Sequence, residues 1–146
     1  MNKKLRTYKI LVADDEPHVA SELKFSLENN TEHVQYKILN ALTGEETLQK
    51  AVREKPDLII LDMMIPKNRL SAIDPRQGLE IYKRLQKDPA TKEIDIIFSS
   101  AFKINNIQEE TSNEDIQQFI KFHDDDEKYD YIKELSQNQF LSHKHI

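Results

Sequence analysis

With 146 residues and no cysteine, the chain has room for one domain with a single core, and it can form neither disulfides nor thiolate metal sites. A net charge of −5 with no basic stripe argues against nucleic-acid binding by this domain, and no apolar run approaches the roughly 18 residues of a membrane helix. Glycine occurs only at Gly44 and Gly78, which excludes a glycine-rich phosphate cradle or dinucleotide fingerprint. Any phosphate would have to be held by metal, hydroxyl and lysine. Met1-Asn2-Lys3-Lys4 leads into no signal-like segment, so a reducing cytoplasm is the expected compartment.

From the amino end, Tyr8 to Ala13 reads as a buried parallel strand that stops at Asp14-Asp15-Glu16. Pro17 stands where a helix would start, with Ala20, Leu23 and Leu27 at helical spacing. Tyr36 to Ala41 is a second strand. Thr43 and Glu46 are spaced as a capping box ahead of a helix carrying Leu48, Ala51 and Val52, which Pro56 closes. Leu58-Ile59-Ile60-Leu61 is the third strand and runs into Asp62. A loop from Pro66 to Gln77 carries Lys67, Arg69 and Arg76, after which Leu79, Tyr82 and Leu85 mark a helix that ends at Asp88-Pro89. Asp95 to Phe98 is the fourth strand, finishing at Ser99-Ser100-Ala101. Strand–helix alternation of this kind predicts an α/β, doubly wound five-stranded parallel sheet with helices on both faces.

Two parses of the last third stand. In the first, a helix starts near Thr111 with Ile116, Phe119 and Ile120 on one face, and Lys128 to Lys133 is the fifth strand. In the second, Gln118 to Phe122 is that strand and 125–142 is one long helix. The helical face around Phe119 and Ile120 favours the first. Asp124-Asp125-Asp126-Glu127 reads as a solvated turn.

Acids at the carboxyl ends of parallel strands face the crevice where open α/β sheets bind ligands. Asp14, Asp15 and Asp62 sharing one crevice would repel one another. At about 4 Å and an effective dielectric near 20, each pair costs roughly 4 kcal/mol. A hard divalent metal with oxygen ligands is the natural counter-charge.

Three segments together resemble the receiver domain of two-component response regulators: Ile10-Leu11-Val12-Ala13-Asp14-Asp15-Glu16-Pro17, then Pro56 to Pro66 around Asp62, then Ile96-Ile97-Phe98-Ser99-Ser100-Ala101. The resemblance is firm to about Ala101 and looser beyond. It implies a flavodoxin-like fold and one receiver domain over 1–146, with its core at about 8–142, an enlarged loop at about 66–77 and an atypical region at about 103–127. It makes Asp62 the phosphoacceptor, and Asp14 and Asp15 the acids that hold Mg²⁺, with the backbone carbonyl of Met64 as a further ligand. Ser100 matches the hydroxyl that binds the phosphoryl oxygen. For the family's lysine, Lys133 is chosen over Lys121, although Lys121 lies at the more usual distance from Ser100. Tyr131 would then be the aromatic that reorients on phosphorylation.

A carboxylate nucleophile forming an acyl phosphate, with charge neutralised around it, is sound chemistry for such residues. The resemblance implies a switch rather than a turnover enzyme. Its partners would be a histidine kinase or phosphotransfer protein, and downstream an effector protein or a homodimer. Two alternatives belong to other classes. One is a receiver-like interaction module that works without phosphorylation. The other is an aspartyl phosphatase, which Met64 disfavours by standing where such enzymes carry a second acid.

Overall fold

Residues with two buried faces form strands here because branched and aromatic side chains suit a pleated surface covered on both sides. The computed structural model describes residues 6–28, 34–72, 76–98 and 130–137. Within them β1 (Arg6–Ala13), β2 (Val34–Ala41), β3 (Leu58–Leu61) and β4 (Asp95–Phe98) form a parallel sheet in the order β2-β1-β3-β4. Helices α1 (Pro17–Glu28), α2 (Gly44–Glu54) and α3 (Gln77–Lys87) link successive strands. This is the flavodoxin-like strand order, whose switch point lies between β1 and β3.

Period-two alternation sorts the core into two layers. Leu11, Ala13, Ile59, Leu61, Ile96 and Phe98 join Leu79, Tyr82 and Leu85 of α3 in one cluster. Ile10, Val12, Leu58, Ile60 and Ile97 join Leu23 and Leu27 of α1 in the other. All of β3, the second half of β1 from Ile10 to Ala13, and Ile96 to Phe98 of β4 are therefore claimed by one layer or the other, which is why those stretches read as continuous apolar runs.

The strands also finish level. Ala13 pairs with Ala41 on one side and Leu61 on the other, and Leu61 pairs with Phe98. The residues that follow Ala13 and Leu61 thus emerge side by side at one edge of the sheet.

Local signals behave as their chemistry requires. Thr43 caps α2, its hydroxyl accepting from the Glu46 N–H at 3.1 Å. The reciprocal bond of the box lands one residue early: Glu46 accepts from the Leu42 N–H at 3.1 Å instead of that of Thr43. At the other end Lys55 turns left-handed, with φ 48°, just ahead of Pro56.

The last third corrects the first parse. Residues 130–137 are helical, so Lys128 to Lys133 is not the fifth strand. Helical spacing lets Ile132 and Ser136 be buried together with Leu135 partly covered, all against the α1-side layer. A strand would have split Ile132 from Leu135 onto opposite faces. The observed helix falls inside the 125–142 helix of the second parse. Gln118 to Phe122, Lys121 and the atypical region lie outside the described residues.

Candidate functional site

Register and parity build the crevice before any side chain is considered. Asp14 continues β1 and Asp62 continues β3 by one residue each, and both follow cluster-lining residues of the same layer, so the pleat turns both to the α1 side of the sheet. The ladder itself extends to hold them. The Asp14 N–H donates to the Ala41 carbonyl and the Asp62 N–H to the Ala13 carbonyl, both at 2.9 Å.

Side-chain oxygens are then aimed by the following turns. Asp14 Oδ1 accepts from the Glu16 N–H at 2.9 Å, closing a short turn that leads into α1. Asp62 Oδ1 accepts from the Met64 N–H at 3.0 Å, in a turn completed by the Ile65 N–H and the Asp62 carbonyl. Asp14, Asp15 and Asp62 each offer a carboxylate oxygen, and these atoms lie within 4.8 Å of one another. Asp14 and Asp62 are half-buried, while Asp15 is exposed.

Electrostatics follow from that crowding. Burial raises the Asp62 carboxyl from an ordinary 3.8 to about 6; the Met64 N–H pulls it down, and the Asp14, Asp15 and Glu16 charges push it up. Asp14 is raised for the same leading reason, burial, with the Glu16 N–H opposing and the Asp15 charge adding. His18 pairs with Glu16 at 3.4 Å on the open surface.

Two residues shape this site without carrying its chemistry, and neither was singled out as part of it from sequence. Gly78, in the first turn of α3, donates its N–H to the Met63 carbonyl at 2.8 Å. A Cβ there would stand 2.4 Å from Met63 Cα and 2.6 Å from the Asp62 carbonyl oxygen, so only glycine lets α3 press on the Asp62–Met63 backbone. Its scarcity in the chain was the available signal. Asn40, a polar residue near the end of β2, donates its amide to the Val12 carbonyl at 2.8 Å and to that of Asp14 at 3.4 Å. Lys50 in turn donates to the Asn40 carbonyl and pairs with Glu46 at 2.9 Å.

The other expected members divide. Met63 is buried in the α3-side cluster, whereas the Met64 side chain is 37% exposed. Ser100 and Lys121 lie outside the described residues. Lys133 does not sit at the end of a strand beside the acids: its helix is anchored by a 2.7 Å bond between Tyr36 and Ser136 hydroxyls, in the first half of β2. Tyr131 on that helix feels the charge of Asp95, the first residue of β4. Both contacts belong to the amino ends of the strands, whereas the acids stand at the carboxyl ends.

Among the described residues, no helix is long and apolar enough to cross a membrane. Curated relatives include transcriptional regulators. The alkaline phosphatase synthesis transcriptional regulatory protein PhoP of Bacillus subtilis is 41% identical over 87 residues, 60% of this chain and 29% of that protein. The phosphate regulon transcriptional regulatory protein PhoB of Pseudomonas aeruginosa is 33% identical over 92 residues, 63% of this chain and 35% of that protein. The chain thus spans about a third of the length of these relatives. Among solved structures, the response regulator protein TrrA of Thermotoga maritima, crystallised in complex with Mg(2+)-BeF, is 30% identical with a TM-score of 0.61, covering 88% of this chain and 98% of that one. The response regulator receiver domain family matches over residues 10–129. With the strand order, the acid cluster and these likenesses in agreement, the chain belongs to the response regulator receiver domain family.

Proposed function

We propose that the chain is a phosphorylation-dependent switch of two-component signalling that accepts a phosphoryl group on Asp62. The observation that carries this reading is the convergence of three carboxylate oxygens within 4.8 Å around a half-buried aspartate. An all-oxygen donor set under mutual repulsion fits a hard divalent cation such as Mg²⁺. Asp14, Asp15 and Asp62 would hold it, with the Met64 carbonyl as a further ligand. When bound, it would neutralise the cluster and polarise a phosphoryl oxygen.

The rest falls to the chain's own groups. With a carboxyl raised to about 6, Asp62 is mainly ionised at pH 7 and available as a nucleophile. Its free oxygen attacks the phosphorus of a kinase phosphohistidine. The new P–O bond forms as the P–N bond breaks, and the imidazole leaves and takes up a proton. The Met64 N–H fixes one carboxylate oxygen, leaving the other to react in line. Ser100 would donate to the transferred group. The helix at 130–137 supports Lys121 rather than Lys133 as the lysine partner, because it leaves Gln118 to Phe122 for the remaining strand. The reading makes the chain a cytoplasmic signalling partner of a histidine kinase, not a turnover enzyme.

Incubation with Mg²⁺ and acetyl phosphate, followed by intact-mass measurement, tests it. The expected result is a gain of one phosphoryl group that Asp62→Ala abolishes. No gain under conditions that label another receiver would instead favour an interaction module independent of phosphorylation.

A further inference from the structure

We infer that Asn40 is a positioning residue for Asp15, and that through Asp15 it tunes the crevice toward a small, geometrically strict cation. The inference rests on the cation site proposed above. Asp14 and Asp62 each have a carboxylate oxygen tethered by a backbone N–H, that of Glu16 at 2.9 Å and that of Met64 at 3.0 Å. The Asp15 carboxylate is exposed and takes part in no hydrogen bond or ion pair among the described residues. Its aim is therefore set by its backbone.

That backbone is held from both sides. A peptide group is planar, so fixing the planes before and after a residue leaves only its side-chain torsions free. After Asp15, the Glu16 N–H is tied to Asp14 Oδ1 within the turn itself. Before it, the Asp14 carbonyl accepts from Asn40 Nδ2 at 3.4 Å, and the same nitrogen donates to the Val12 carbonyl at 2.8 Å. Both acceptors are carbonyls, so the amide must turn its nitrogen, not its oxygen, toward them. The short bond anchors the amide on β1, and the longer one reaches past the end of β1 to the Asp14–Asp15 peptide. Asn40 is itself fixed. Among the described residues β2 stands at one end of the sheet, and Lys50 Nζ donates to the Asn40 carbonyl while pairing with Glu46 at 2.9 Å.

Such a tether acts selectively. Mg²⁺ demands near-ideal octahedral placement of its oxygens, whereas Ca²⁺ accepts more ligands at longer and less regular distances. Freeing the Asp14–Asp15 peptide displaces one carboxylate without removing any charge. Mg²⁺ should feel that displacement far more than Ca²⁺. Loss of a residue that merely held the fold would weaken both ions alike.

Calorimetric titration of the whole chain with Mg²⁺ and, separately, with Ca²⁺ provides the test. It compares the parent with Asn40→Leu, which keeps the bulk and removes the donor. The expected result is a Mg²⁺ dissociation constant raised about tenfold, with that of Ca²⁺ changed less than about twofold. Asn40→Ala, which adds no bulk, should change the ratio in the same direction. In the cation-free chain, the backbone amide resonance of Asp15 should move further in both variants than that of Asp62. Equal losses for the two ions, an unchanged Mg²⁺ constant, or an Asp15 resonance that stays in place would each overturn the inference. Loss of folding in both variants would make Asn40 structural and overturn it too. A parent that binds neither ion would instead overturn the cation reading of the site, and this inference with it.

Discussion

The two ends of the sheet carry similar ingredients and use them differently. At the carboxyl ends Asp14 and Asp62 are half-buried and raised, and with exposed Asp15 their oxygens converge within 4.8 Å. At the amino ends Asp95 is also raised, first by burial and then by the charge of Asp57. There, however, the groups are dispersed among tyrosines. Asp57 Oδ2 is taken by the Lys9 N–H at 2.8 Å. The Tyr8 and Tyr36 rings meet edge to face at 6.1 Å. The Tyr8 hydroxyl is buried with no hydrogen-bond partner among the described residues, and burial drives its proton affinity far up. Burial of acids therefore does not by itself make a binding centre. Convergence is what sets the carboxyl end apart, and it comes from level strand ends and the turns that follow them.

If convergence is the distinguishing property, crowding the carboxyl end should do the most damage. Gly78→Val places a side chain against the Asp62–Met63 backbone, and backbone cannot step aside as a side chain can. A loss of about 3 kcal/mol in urea unfolding is expected, together with loss of phosphoryl labelling. A variant as stable as the parent would show that α3 does not fix the Asp62–Met63 backbone.

The charge of Asp62 comes next. Its folded carboxyl, at about 6, lies above the ordinary 3.8, so its favourable contribution is present below about pH 4 and is lost as pH rises through 6. With a chelator present, the parent should lose about 1–2 kcal/mol across that window after allowance for solvent screening. Asp62→Asn should lack that loss. Superimposable pH profiles would remove the electrostatic strain from the account.

Cation binding separates the ends more gently. Mg²⁺ at ten times its dissociation constant should stabilise the chain by about 1.4 kcal/mol. Asp15→Asn should remove that gain, while Asp95→Asn at the opposite end should keep it. Equal effects of the two changes on a thermal melt would erase the difference between the ends. Among the tyrosines, opposite signs are expected. Tyr36→Phe gives up its bond to Ser136 and should cost about 1 kcal/mol, whereas Tyr8→Phe removes an unpartnered buried hydroxyl and should be neutral or stabilising by up to about 1 kcal/mol. Chemical denaturation of both variants reads this directly.

Much of the carboxyl end could be read from residue order, because the same residues that end a strand also carry its chemistry. Leu58 to Leu61 is short, branched and wholly buried, and it admits no other reading before Asp62. The capping box at Thr43 and Glu46 was equally plain, although the residue that receives the return bond was not. The stretch from Tyr131 to Ser136 was harder. Its apolar residues fit a short strand or one face of a helix, and tertiary packing against Val34-side residues of the α1 layer decides for the helix. Gly78 and Asn40 were hidden for another reason: each acts on the backbone of a distant strand, and spacing along the chain carries no trace of that.

The ladder bonds from Asp14 to Ala41 and from Asp62 to Ala13 have a dynamic consequence. These two amides sit at the mouth of an open crevice, yet each is locked by the sheet itself. Their protons can exchange with solvent only when strands part, so the two aspartates share the slow breathing of the core rather than the fast motion of the loops beside them. Under the switch proposed for Asp62, the floor of the crevice would therefore stay still. Whatever moves must be carried by carboxylate rotation and by the turns that leave the strands.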